Sequence, residues 1–269
     1  MPFLNIEIIG WATVAYIIYR WLLSFYKIIY PYLIAKPINL LEAAGSRWAV
    51  VTGGSDGIGK QYAFELARRG FSIVLIARSK SKLEDVKRKI QEETGVEMSL
   101  ILVQVIVFDF SSANLEEYEK KIFPELKNLD IGILINNVGV SYEYPELLHK
   151  VDGGLNTIAN VNIVNSLPCV LLCSVVLPQM LERNKGIIVN VSSAAAYLQT
   201  IMLAAYSAAK KSRPSLFAPS PENFVKSAIS TIGITSETTG CLAHQVQVLV
   251  SVLSIFLILN LSAKHSSII

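Results

Sequence analysis

Short apolar runs alternate with amphipathic stretches through the middle of the chain. The apolar runs are rich in Val, Ile and Leu and are four to six residues long. Continuous runs of this kind are typical of strands that are covered on both faces, as in a parallel sheet. They predict five strands, at Trp48–Thr52, Ser72–Ala77, Val103–Phe108, Ile131–Asn136 and Gly186–Val191.

The stretches between these runs have helical periodicity. They predict helices at Lys60–Arg69, Lys82–Glu93 and Leu115–Leu126, the last preceded by Asn114 as a capping residue. Strands that alternate with helices predict an α/β fold with a doubly wound, mostly parallel, Rossmann-like sheet.

Both ends of the chain are apolar. Phe3–Ala35 is interrupted only by Glu7, Arg20 and Lys27, and about 20 apolar residues suffice for a membrane helix. We expect Phe3–Tyr19 to span the membrane and the aromatic-rich Trp21–Ala35 to lie along the membrane surface. A buried core helix is the alternative. The basic residues follow the span, which places the rest of the chain in the cytosol.

The apolar segment near the other end leaves several structures open. Val246–Leu261 has 16 residues and four polar side chains, so it either spans the membrane, lies on its surface or packs on the sheet. The sequence thus divides into a membrane anchor (1–36), a catalytic domain (46–211), a remnant C-terminal segment (212–245) and an apolar helix (246–263).

Composition and charge mainly argue against particular kinds of binding site. Hydrophobic residues make up 52% and charged residues 17% of the chain, and the net charge is +3, which gives no reason to expect nucleic-acid binding. The basic cluster Lys80–Lys89 is interrupted by Glu84 and Asp85 and indicates a solvated helix face. The cysteines and histidines do not cluster, so we expect no metal site; they are Cys169, Cys173, Cys241, His149, His244 and His265.

A glycine-rich loop follows the first predicted strand and precedes a helix. Glycines in this context let the backbone turn tightly and approach a pyrophosphate at a helix N-terminus, whereas a purely structural turn is the alternative. The loop predicts cofactor contacts from Gly53, Ser55, Asp56, Gly57, Ile58 and Gly59.

The second predicted strand ends next to Arg78. NAD sites tend to have an acidic residue in this region for the ribose 2′-hydroxyl, whereas an arginine accommodates a 2′-phosphate. Arg78 therefore favours NADP(H). An exposed arginine at the start of the next helix is the alternative interpretation.

Four motifs occur in a specific order: Thr52-Gly53-x-x-x-Gly57-x-Gly59, Asn136-Asn137-Val138-Gly139, Ser193, and Tyr206-Ser-Ala-Ala-Lys210. On these motifs the chain, from about Trp48 to Lys210, resembles the short-chain dehydrogenase/reductase family. With its apolar N-terminus, it is most similar to membrane-bound members that reduce very-long-chain 3-oxoacyl-CoA or 17-ketosteroids.

The resemblance implies a role for each motif residue. Tyr206 is the proton donor, Lys210 assists it and holds the cofactor, Ser193 binds the substrate carbonyl, and Asn162 supports a proton relay. A lysine one helical turn from a tyrosine can favour the phenolate electrostatically. The resemblance also implies cofactor contacts from Asp109, Asn136, Gly139, Tyr206 and Lys210.

The resemblance further implies an NADPH-dependent reductase of the endoplasmic reticulum membrane that faces the cytosol. Members of the family often form homodimers through the helices that here contain Asn162 and Tyr206. After Lys210 the pattern breaks, because Pro214 disfavours helix at the residue before it. The sequence therefore predicts an internal deletion of a helix and a strand, and the alternative is a catalytically silent, nucleotide-binding membrane protein.

Overall fold

The computed structural model describes residues 2–94, 101–193 and 221–235. The chain divides into two compact units, one formed by Asn39–Lys226 and one by Met1–Ile38 with Ser227–Ile269. The described helices are α1 (Pro2–Ile29), α2 (Leu40–Ala44), α3 (Gly57–Arg68), α4 (Lys80–Thr94), α5 (Leu115–Lys121), α6 (Phe123–Lys127), α7 (Gly154–Glu182) and α8 (Pro221–Ser230). The described strands are β1 (Trp48–Thr52), β2 (Ser72–Ala77), β3 (Val103–Val107), β4 (Ile131–Asn136) and β5 (Ile187–Asn190).

The five described strands form one parallel sheet in the order β3-β2-β1-β4-β5. The order reverses beside β1, which is the property of a doubly wound sheet. The predicted α/β, Rossmann-like fold class is confirmed. All residues of β2 and β4 are buried, as the continuous apolar runs predicted.

One predicted helix is divided in the structure. The predicted segment Leu115–Leu126 forms two short helices, α5 and α6, with Pro124 in the first turn of α6. Proline has no backbone N–H and cannot continue the hydrogen bonding of a preceding helix. Asn114 does cap α5, since its Oδ1 accepts a hydrogen bond of 3.0 Å from the Glu116 N–H.

The core lies where helices cover the sheet. Its buried cluster combines strand residues such as Val50 and Leu134 with aromatic side chains and with one side of α7. Burial of apolar area at about 25 cal/mol per Å² is the main stabilising contribution in such a core. The α7 residues in the cluster are Val164, Leu172, Val176 and Met180.

The unit formed by the two chain ends contains one long helix. Helix α1 continues through Arg20 into a π-helical turn, Tyr30–Ile34, so the predicted spanning and surface parts belong to one continuous helix. All side chains from Glu7 to Leu22 are exposed, Trp11 by 75%.

Among the described helices, two are long and apolar enough to cross a membrane: Glu7–Ile34 and Gly154–Glu182. The most apolar part of the first is not buried at all, whereas α7 contributes several side chains to the core. We therefore interpret α7 as a core helix, and only the N-terminal helix keeps the character of a membrane segment.

Candidate active site

Those of the predicted cofactor residues that the structure describes lie at one edge of the sheet. Because all five strands are parallel, their carboxyl ends meet at the same edge. The residues that follow these ends form the usual ligand crevice of a doubly wound fold. They include the glycine loop after β1, Arg78 after β2, Asp109 after β3, Gly139 after β4 and Ser193 after β5.

The glycine loop has the backbone conformation that its sequence requires. Gly53 and Gly57 have φ of +64° and +54°, values that favour glycine. A β-carbon on Gly59 would overlap the Gly53 carbonyl oxygen and the Asn137 side chain, so α3 packs closely against the loop. Among the residues that the structure describes, a β-carbon on Gly57 would meet no atom within 4 Å. The start of α3 therefore faces open space, which fits the pyrophosphate of a dinucleotide.

A hydrogen-bond network fixes the loop to the neighbouring strand. The Asn137 and Val138 N–H groups donate to Thr52 Oγ1 at 2.9 and 3.0 Å, and Asn137 Nδ2 donates to the Thr52 carbonyl at 2.9 Å. Thr52 and Asn137 are both buried. Sequence reasoning missed this role of Asn137. The repeated asparagine at the end of β4 was its signal.

The far side of the glycine loop is charged. Asp56 caps α3 with a hydrogen bond from the Gly57 N–H to its Oδ1 at 2.9 Å, and its Oδ2 accepts from Lys82 Nζ at 2.8 Å. The Lys82 hydrogen bond, followed by that of Gly57, lowers the pKa of Asp56. The Ser111 N–H, helped by the charge of Arg78, lowers the pKa of Asp109. These charged groups lie on the segments that follow β1, β2 and β3.

The ends of β4 and β5 are joined by their side chains. Asn136 Nδ2 donates to Asn190 Oδ1 at 2.8 Å, and these two residues are also paired in the sheet register. Two thiols of α7 reach the same amides: Asn136 Nδ2 lies 3.3 Å from Cys173 Sγ, and Cys169 Sγ lies 3.3 Å from Asn190 Oδ1. Burial raises the pKa of Cys169. The cluster supports the segment that leads to Ser193, three residues further on.

Two asparagines of α7 have different surroundings. Asn162 is exposed, and its Nδ2 donates to the Ile158 carbonyl of its own helix at 2.8 Å. Asn165, about one turn later, donates to the Val140 carbonyl at 2.8 Å and accepts from the Val140 N–H at 3.2 Å. Asn165 is therefore the one whose side chain holds the loop after β4. Sequence reasoning chose Asn162 and did not consider Asn165.

The remaining predictions fall partly outside the described residues. Ser55 and Ile58 are half-buried in the glycine loop, and Gly139 is exposed in the loop after β4. Tyr206 and Lys210, like the segment 246–263, lie outside the residues that the structure describes. Within residues 2–94, 101–193 and 221–235, no group of three or more His, Cys, Asp or Glu side chains could hold a metal ion.

Comparison with known proteins identifies relatives over most of the chain. The short chain dehydrogenase family model matches residues 47–239. The chain is 43% identical to the Caenorhabditis elegans "Very-long-chain 3-oxooacyl-coA reductase let-767", with 88% of this chain and 85% of the relative covered. It is 38% identical to the Rattus norvegicus "Very-long-chain 3-oxoacyl-CoA reductase" at the same coverage. The C. elegans "Putative steroid dehydrogenase 2" is 40% identical, with 89% and 85% covered.

Solved structures agree on the fold. A putative short chain dehydrogenase from Escherichia coli CFT073 matches with a TM-score of 0.54 and 26% identity, over 64% of this chain and 72% of that chain. A short-chain dehydrogenase from Sphingobium yanoikuyae in complex with NADPH matches with a TM-score of 0.51 and 26% identity, over 60% of this chain and 59% of that chain. The second match thus spans less than two thirds of the solved chain.

The alignments also contain gaps. The one with the let-767 reductase extends over 273 positions but covers 88% of a chain of 269 residues, so that relative has residues with no counterpart here. The glycine-loop geometry, the parallel sheet, the family match and the named reductases agree with one another. The chain therefore belongs to the short-chain dehydrogenase family, as an oxidoreductase that acts on keto or CH–OH groups.

Proposed function

We propose that the protein reduces the keto group of a membrane-associated lipid with NADPH, and that the substrate is a long-chain 3-oxoacyl-CoA rather than a 17-ketosteroid. The observation that carries the proposal is the glycine loop, whose open helix N-terminus lies at the same sheet edge as Ser193. The names of the Caenorhabditis elegans let-767 and Rattus norvegicus reductases support the acyl-CoA substrate.

The preference for NADPH is supported by Arg78, which follows β2 at the position where a 2′-phosphate is expected. The pyrophosphate would be held by the start of α3, with Gly53, Gly57 and Gly59 allowing its close approach. When bound, NADPH supplies a hydride to the substrate carbonyl carbon. On the nicotinamide side we expect contacts from Asn136 and Gly139.

The chain's own residues supply the proton and orient the carbonyl. A tyrosine has an ordinary pKa of about 10, so proton donation near neutral pH needs a nearby cation. Lys210, four residues after Tyr206, supplies that cation in our proposal. Ser193 donates a hydrogen bond to the carbonyl oxygen and holds it beside the Tyr206 hydroxyl.

The proton relay requires an asparagine near the nicotinamide side. We propose Asn165 for this role in preference to Asn162. Asn165 exchanges hydrogen bonds with Val140 in the loop after β4. The Asn162 amide donates instead to the Ile158 carbonyl of its own helix.

The protein is proposed to be anchored by α1 in the endoplasmic reticulum membrane with its catalytic unit in the cytosol. Exposed apolar side chains along α1, and Arg20 and Lys27 after the first part of the helix, support this placement. The exposed side chains Val170, Leu177 and Leu181 of α7 support a homodimer formed through this helix.

The test is NADPH oxidation by the membrane-embedded protein with a long-chain 3-oxoacyl-CoA or a 17-ketosteroid as substrate. We expect turnover of the acyl-CoA, and we expect Tyr206→Phe to reduce it by about 100-fold or more because the general acid is lost. NADPH binding should weaken far less than turnover in the variant, because most of the expected cofactor contacts are made by other residues. Equal turnover by Tyr206→Phe would refute the role of the tyrosine.

A catalytically silent, nucleotide-binding protein is the second candidate. Among the described strands β5 lies at the sheet edge, and its residues are only partly buried, in contrast to those of β4. The alignment gaps also agree with a missing strand and helix. NADPH binding without turnover of either substrate would favour this function.

A further inference from the structure

An ion pair joins the glycine loop to the helix after Arg78. Lys82, in the first turn of α4, places its Nζ 2.8 Å from Asp56 Oδ2. Other basic residues of α4 pair within the helix, as Arg88 does with Asp85 and Glu92. Lys82 instead reaches a residue 26 positions earlier in the chain. Lys82 thus lies on the solvated face of α4 and also contacts the glycine loop.

The stability of the fold gives little reason for this pair. The Lys82 and Asp56 side chains are 59% and 73% exposed, and exposed pairs contribute little to the free energy of unfolding. The cap of α3 does not need the lysine either, because Asp56 accepts the Gly57 N–H through its other oxygen. The main effect of the pair is instead that Lys82 neutralises the negative charge of Asp56 in the glycine loop.

Asp56 is an unfavourable neighbour for a phosphate. Its carboxylate lies in the loop that would hold the cofactor, and its lowered pKa keeps it ionised at neutral pH. A second carboxylate, Asp109, lies within the electrostatic range of Arg78. A phosphomonoester adds close to two further negative charges near pH 7. Arg78 alone would leave a net negative charge on the protein around a 2′-phosphate.

We propose that Lys82 is a specificity-determining residue for NADPH. Paired with Asp56, it cancels the carboxylate of the glycine loop and, with Arg78, supplies a second cation for the 2′-phosphate. This inference rests on the proposed NADPH-dependent function and names the residue that distinguishes NADPH from NADH in it.

The test is equilibrium binding of NADPH and NADH to the full-length, detergent-solubilised protein, followed by nicotinamide fluorescence. Lys82→Ala should weaken NADPH binding by about tenfold. The variant loses the charge-assisted contact with the 2′-phosphate, and the negative charge of Asp56 is no longer neutralised. NADH binding should change less than about twofold. The same difference should appear between 2′,5′-ADP and 5′-AMP as competitors, because they differ only in the 2′-phosphate.

A second variant separates the two parts of the effect. Asp56→Asn keeps an oxygen that can cap α3 but removes the charge. In the Asp56→Asn/Lys82→Ala double variant we expect NADPH binding to recover several-fold relative to Lys82→Ala. Lys87→Ala removes an equal charge from a later turn of α4 and should leave both affinities unchanged.

The possible failures are distinguishable. If the wild-type protein binds neither dinucleotide, the proposed function itself is refuted. If the wild type binds NADPH but Lys82→Ala weakens NADPH and NADH equally, or neither, Lys82 does not read the 2′-phosphate and the inference alone is overturned. Thermal unfolding of each variant excludes misfolding as the cause of an equal loss.

Discussion

At the scale of single residues, the site depends on a few side chains that connect the carboxyl ends of strands. Asn137 donates a hydrogen bond to Thr52, Asn136 donates one to Asn190, and Asn165 donates one to the Val140 carbonyl. An asparagine side chain is suited to such positions, because its amide both donates and accepts hydrogen bonds. Each of these residues is replaceable one at a time, so the site can be tested residue by residue.

Asn165 and Asn162 form a matched pair for such a test. We expect Asn165→Ala to reduce kcat for the acyl-CoA by about 10- to 100-fold, because loss of its two hydrogen bonds with Val140 releases the loop after β4 and removes the proposed relay residue. Asn162→Ala should retain nearly full activity, since its side chain is exposed and contacts the Ile158 carbonyl. Steady-state kinetics at saturating NADPH measures both. A larger loss in Asn162→Ala would restore the assignment made from sequence.

At the scale of elements, the pairing of β4 with β5 connects the sheet to the segment that leads to Ser193. At the amino end of β4, the guanidinium of Arg183, the residue after α7, donates hydrogen bonds to Asp130 and to the Ile131 carbonyl. At the carboxyl edge the contact between the two strands includes the Asn136–Asn190 hydrogen bond and that of the Val191 N–H to the Asn136 carbonyl at 2.9 Å. The position of Ser193 depends on this short connection.

We predict that Asn190→Ala destabilises the catalytic unit. It removes the shorter of the two hydrogen bonds of the buried Asn136 amide and leaves only the weak thiol acceptor Cys173, which costs about 1–3 kcal/mol of the free energy of unfolding. Asn190→Asp keeps an acceptor oxygen and should lose much less. Thermal unfolding of the detergent-solubilised full chain, followed by circular dichroism, compares them. Equal midpoints for wild type and Asn190→Ala would show that the bridge contributes nothing to stability.

At the scale of the whole molecule, apolar side chains occur both in the buried core and on the exposed surface of α1. Strands β2 and β4 and one side of α7 bury apolar residues in the core, whereas α1 leaves Trp11, Ile17 and their neighbours exposed. An exposed apolar surface of this length is unfavourable in water and favourable in a bilayer.

The membrane role of α1 has a direct test. The double variant Trp11→Arg/Ile17→Arg places two charges in the apolar part of α1, at a cost of about 2.5–3.5 kcal/mol each near the centre of a membrane helix. We expect the variant to be extracted from membranes at alkaline pH, whereas wild type and the control Lys27→Arg remain. Retention of the double variant would mean that α1 is not the anchor.

The sequence by itself determined the strands, the sheet type and the glycine loop. Burial periodicity and glycine requirements are local properties, so β1, β2 and β4 were predicted with the bounds that the structure has. The family motifs added residue roles, and all of these roles stay predictions. The division of the apolar N-terminus into a spanning part and a surface part stays a prediction, although one continuous helix contains both.

Only the tertiary structure decided which polar residues share one environment. Asp56 meets Lys82 across 26 residues, Asn136 meets Asn190 across 54, and Val140 selects Asn165 over an asparagine one turn earlier on the same helix. Local patterns set whether a residue is helical or buried, but not which distant group it contacts. That choice depends on how the parallel strands align and on how α7 is rotated against them, and both are consequences of packing the whole core.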